Sequence, residues 1–164
     1  IYGHHNLAVM ERYGEGVAQV NPCPMAVCPE GNGDERTIHI CMVTTPAWGS
    51  AARKVVRRID SNDPCHLTIT DELELNEALP VTFNLHSHHP VTVSGNKAVF
   101  AAERSTLVVT WEWNGEVVCA GQKLRDGEHR PVYQLAVRSK PGTEHALVTK
   151  LAISAQGRPQ AVAR

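Results

Sequence analysis

The chain has 164 residues, 16 basic and 17 acidic, and a net charge of -1. Neither sign gathers into a long run, which argues against nucleic acid or an anionic membrane held by bulk charge. A chain of this length buries about 70% of the surface its unfolded form exposes, enough for a hydrophobic core without staples. No apolar stretch approaches the roughly 20 residues of a bilayer span, and the first segment lacks the basic-then-apolar order of a signal peptide.

The chain opens Ile-Tyr-Gly-His-His-Asn-Leu-Ala-Val. A start at Ile1 instead of Met is expected for a processed chain or an excised piece of a longer one. The five cysteines, Cys23, Cys28, Cys41, Cys65 and Cys119, are odd in number, so any disulfide scheme leaves a thiol over. Cys23 and Cys28 have a spacing that a zinc half-site permits, but no second Cys/His pair follows at a matching interval, and small buried thiols are the simpler reading.

From there the dominant period is two. Cys41 lies in Ile-His-Ile-Cys-Met-Val and reads as a core or half-core strand residue. Ala51 to Arg58 makes a turn or begins a strand. In Leu-Thr-Ile-Thr-Asp-Glu-Leu-Glu-Leu, Leu67, Ile69, Leu73 and Leu75 face one way, and Thr68, Thr70, Glu72 and Glu74 the other. Asp71 falls on the inward parity, which requires either a bulge or hydrogen bonding from a neighbouring loop. Val81, Phe83 and Leu85 repeat the alternation, as do Leu107, Val109, Trp111 and Trp113, then Tyr133, Leu135 and Val137, and finally Leu147, Leu151 and Ile153.

Turn-forming clusters fall between these runs, at residues 29–34, 60–64, 94–96, 114–115, 125–128 and 140–142. Asn114-Gly115 predicts a short hairpin, since both central residues of a type I′ turn need positive φ. Short strands at such intervals read as an all-β, antiparallel sandwich or barrel, here of roughly ten or more strands. One domain is expected over 1–155, with a frayed tail at 156–164.

Three groups of residues could carry chemistry. On a strand, His86 and His88 share a face and could pinch one metal with His89 pointing away, or they form a polar strand end. Trp111 and Trp113 either stack on sugar rings as an exposed pair or continue the core stripe of Leu107 and Val109. Asp71, Glu72 and Glu74 suggest paired carboxylates, or a solvated face. No Gly-rich phosphate loop, nucleophile elbow or His-Glu-x-x-His motif is present, and no complete catalytic constellation appears.

The order of segments resembles the C-terminal part of heparinase II/III-like polysaccharide lyases. It runs from Gly-His-His-Asn-Leu-Ala-Val through Lys-Val-Val-Arg-Arg-Ile-Asp (54–60), Leu-Thr-Ile-Thr-Asp-Glu-Leu-Glu-Leu (67–75) and Val-Thr-Phe-Asn-Leu-His-Ser (81–87) to Arg-Pro-Val-Tyr-Gln-Leu-Ala-Val (130–137). The basic strand followed by Thr-Asp-Glu-Leu-Glu-Leu is the most telling piece. The resemblance implies a β-sandwich packed behind an N-terminal α/α toroid, in an enzyme that cleaves acidic, uronate-containing polysaccharide by β-elimination. The family's catalytic Tyr, His and Asn come largely from the toroid and from a segment before Ile1, so none carries over. His5, followed by Asn6, matches a Gly-His-Asn-type motif whose His helps bind a structural zinc, with the other ligands upstream.

The resemblance also implies periplasmic or secreted placement, whereas unpaired cysteines fit a reducing compartment better. Two alternatives come from other classes. One is a free-standing carbohydrate-binding module using Trp111 and Trp113; the other is a cupin-like metal-dependent enzyme centred on His86 and His88.

Overall fold

Period-two alternation becomes two antiparallel sheets packed face to face. The computed structural model describes residues 8–12, 15–16, 29–126 and 128–155. The expectations for His5, for Cys23 and Cys28, and for the tail at 156–164 lie outside them. The strands are β1 (Ala8–Arg12), β2 (Glu15–Gly16), β3 (Glu30–Gly33), β4 (Ile38–Val43), β5 (Ala52–Asp63), β6 (His66–Leu79), β7 (Val81–Ser87), β8 (Val91–Ser94), β9 (Lys97–Ala101), β10 (Ser105–Trp111), β11 (Gly115–Arg125), β12 (Pro131–Ser139) and β13 (Gly142–Ala155). A 3-10 segment, Thr45–Ala51, precedes β5. One sheet has the order β11-β12-β7-β1-β2 and the other β3-β4-β5-β6-β13-β10-β9-β8. This is an all-β antiparallel sandwich.

β6 follows its sequence pattern closely: Ile69, Asp71, Leu73 and Leu75 are buried while the residues between them are not. The inner rows make two apolar clusters. Met10, Trp48, Leu73, Leu75 and Val81 belong to one; Phe83, Phe100, Val109, Trp111 and Leu135 belong to the other. Each such large side chain contributes about 1.5–3 kcal/mol by leaving water.

Asp71 is inward without a bulge because its partner sits directly across the ladder, Arg57 on β5. Arg57 Nε donates to Oδ1 at 2.6 Å and Nη2 to Oδ2 at 2.8 Å. On the other face Arg58 donates to Glu72, and Lys54 lies 2.9 Å from Glu72 and 3.8 Å from Glu74. The basic strand and the acidic strand are thus zipped together by charge, and these cations are already engaged.

Two turn expectations are corrected. Asn114-Gly115 is not a hairpin, since β10 and β11 belong to different sheets and Gly115 is not among the positive-φ glycines. The glycine serves a close approach instead: a Cβ there would meet the Trp113 ring at 2.3 Å and Val137 Cγ1 at 2.6 Å. One tight two-residue turn is Gly95-Asn96 between β8 and β9, with φ of 58° at Gly95, the first central position, as a type II′ turn demands. The cluster at 29–34 supplies the edge strand β3, whose glycines leave room for β4: a Cβ at Gly33 would lie 2.7 Å from the Thr37 carbonyl oxygen.

Candidate functional site

The histidines singled out in the sequence separate in space. β7 ends at Ser87, so His86 is a half-buried strand residue opposite Gln134, while His88 sits exposed in the bend beyond the ladder. The shared face needed to pinch a metal does not extend across the two. His88 Nδ1 lies 3.1 Å from the Pro131 carbonyl oxygen, which fixes the proton on that nitrogen, and Nε2 faces Asp126 Oδ2 at 3.7 Å. Asp126 also accepts from Arg130 Nε at 2.8 Å and from the backbone N–H groups of Glu128 and Arg130. Burial pushes its carboxyl up, but the Arg130 N–H and side chain outweigh this and leave it below the ordinary value. The cluster closes the β11–β12 turn.

Trp111 is 3% exposed and belongs to the second apolar cluster. Trp113 lies past the end of β10, half-buried, and packs against both clusters. The two indoles therefore do not form an exposed platform for sugar rings; the core stripe of Leu107 and Val109 takes in Trp111. Glu72 and Glu74 stand on the outer face with Lys54 between them. The Lys54 hydrogen bond, followed by that from Arg58, holds the Glu72 carboxyl below its ordinary value, and Glu72 in turn raises Lys54. A carboxylate held ionised by two cations is a poor proton carrier. Among the described residues no group of three or more His, Cys, Asp or Glu could hold a metal ion. No helix among them is long and apolar enough to cross a membrane.

Sequence reasoning missed the polar junction of His145. Its Nε2 lies 3.0 Å from the Leu79 carbonyl oxygen and 2.9 Å from that of Gly142, so this nitrogen carries the proton. Its Nδ1 is 3.2 Å from Ser139 Oγ, which accepts the Val81 N–H at 3.0 Å. The hydroxyl and imidazole resemble a catalytic pair by residue type, yet their hydrogen-bonding capacity is spent on backbone groups. They tie three chain segments together. A second polar set lies on the outer face of the five-stranded sheet, where buried Gln134 Nε2 donates to buried Asn84 Oδ1 at 2.7 Å and the more exposed Arg138 pairs with Glu11.

The architecture is thus that of a two-sheet antiparallel sandwich. Among solved structures it is similar to heparan sulfate lyase HepC, a mutant from Pedobacter heparinus, with a TM-score of 0.55 and 8% identity over 80% of this chain and 22% of that one. It is also similar to Heparinase III, the BT4657 gene product, with a TM-score of 0.63 and 12% identity over 93% of this chain and 24% of that one. The lysine-methylated form of that protein gives a TM-score of 0.63 over 94% of this chain. At these identities the likeness is one of fold, and the chain spans less than a quarter of the length of each of these three structures. No protein-family model matches the sequence, and no curated protein matches it.

Proposed function

We propose that this chain is the C-terminal supporting β-sandwich of a heparinase II/III-like polysaccharide lyase, whose catalytic groups stand on an N-terminal α/α toroid of the same protein. The observation that carries the reading is the fold match over 80–94% of this chain to heparinase structures in which it corresponds to only 22–24% of the length. The ordered motif series from residues 3 to 137 supports it independently of the fold. Fold alone does not name an activity.

In this reading the lyase acts on an acidic, uronate-containing polysaccharide. A base takes the C5 proton, an acid protonates the leaving oxygen, and an unsaturated sugar remains. The sandwich contributes rigidity and a wall, and His5 is one ligand of a zinc completed by donors from the rest of the protein. The test compares the 164-residue chain with the longer product of the same gene on heparan sulfate and on alginate, following unsaturated-uronate absorbance. Activity in the longer product alone is expected; activity in the 164-residue chain, or none in the longer product, overturns the reading.

A further inference from the structure

The two sheets are unequal, and the larger one runs past the smaller. On the inner parity of the eight-stranded sheet Leu107 pairs with Ile153, Leu67 with Leu151, and Ile38 with Ser61. These rows continue the ones that carry the core, yet they end in the open: Ile38 is 42% and Ile153 53% exposed. Inward-facing large aliphatics left in water are the informative exception on a soluble surface. Together they floor a groove of about 410 Å³. Its rim carries Asp34 and Glu35 against Arg36, with His66 beside them and held by Asp63 at 2.9 Å, and Asp34 is fixed there by N–H groups of Arg36 and Thr37, both at 2.7 Å.

Apolar floor and acidic-leaning rim together define the complement, an apolar segment flanked by cations. In the two solved structures compared above, more than three quarters of each chain lies outside the matching part. We propose that the groove seats an apolar, basic-flanked segment supplied by the remainder of a longer chain. This rests on the reading above, that the sandwich is one part of such a chain, and adds the surface at which the parts meet.

The exposed thiol of Cys65 reports on the groove, because Cys65 lines it and its carbonyl oxygen accepts the Ile153 N–H at 2.8 Å. Iodoacetamide labelling of Cys65, read by peptide mass, is compared between the 164-residue chain and the longer gene product. The expected result is labelling slower by about tenfold or more in the longer product, as a covered site requires, with Ile153→Glu restoring the fast rate. Ile153 is 53% exposed at the open end of its row, so a Glu there leaves the closed core untouched, and the variant's far-UV spectrum checks that it folds. Equal rates in the two proteins overturn the proposal, as does the lack of any longer product. Labelling that slows with the concentration of the 164-residue chain assigns the groove to a second copy and overturns it too. A longer product that cleaves polysaccharide yet labels as fast as the short chain defeats the docking surface alone; one that protects Cys65 but has no lyase activity defeats only the functional reading.

Discussion

Replacing Asp71 by Leu tests whether the Arg57–Asp71 pair holds the β5–β6 hairpin. The side chains are 14% and 5% exposed and meet through two hydrogen bonds, so little water is available to take over when one partner goes. Loss of one member of such a pair costs about 3–5 kcal/mol, most of it from the charge left behind. In a domain of this size about 2–4 °C of melting temperature goes with each kcal/mol, so Asp71→Leu should melt about 6–20 °C early. Replacing both residues, with Arg57→Met added, removes the stranded charge and should return stability to within about 1 kcal/mol of the parent. Urea unfolding at constant m-value measures all three proteins. A cost under about 1 kcal/mol for Asp71→Leu alone, or a double variant no better than the single, would show that the pair does not hold the hairpin.

Gly115→Ala should lose about 1–3 kcal/mol through overpacking against Trp113 and Val137; an unchanged urea midpoint would show that the ring gives way freely. Ser139→Ala strips the acceptor from the Val81 N–H and should cost about 1–3 kcal/mol while accelerating amide exchange at Val81. Unaltered exchange there would contradict the assignment. Glu72 is held low by Lys54 and then Arg58, Asp34 by the Arg36 N–H, and Asp63 by the Cys65 N–H, with ordinary values of 4.5, 3.8 and 3.8. Carboxyls depressed in the folded state add stability that is complete above those ordinary values and is lost as pH falls through the lowered ones. Thermal unfolding should therefore be easier at pH 3 than at pH 6, and a melting temperature that rises on acidification would reverse the sign.

Much of the fold was legible because alternation is a local property. In β6 the parity of Ile69, Leu73 and Leu75 gives the buried face directly, and the misfit at Asp71 marks the place where a buried partner had to exist. Which residue answers it was not legible, since Arg57 lies 14 positions away and register decides the match. Asn114-Gly115 carries a hairpin signal that tertiary packing overrides: the chain uses the missing side chain to pass under Trp113 on its way to the other sheet. The candidate site was less legible. His86 and His88 share a face only while the strand lasts, and Pro90 follows too soon for it to reach His88. His145 stands alone in sequence, its partners coming from residues 79, 139 and 142.

The crossings between the sheets make the sandwich mechanically lopsided. The passages from β6 to β7, from β10 to β11 and from β12 to β13 all lie at one end, where Gly115 pairs with Ser139, Gly142 pairs with Leu79, and Ser139 receives the Val81 N–H. The β5–β6 turn and the exposed ends of Ile38 and Ile153 lie at the other, and among the described residues one crossing, from β7 to β8, joins the sheets there. The molecule is therefore bound like a book, stitched three times along its spine and once at the fore-edge. Under load or heat it should open first from the fore-edge, and whatever grips that edge would clamp the pages shut.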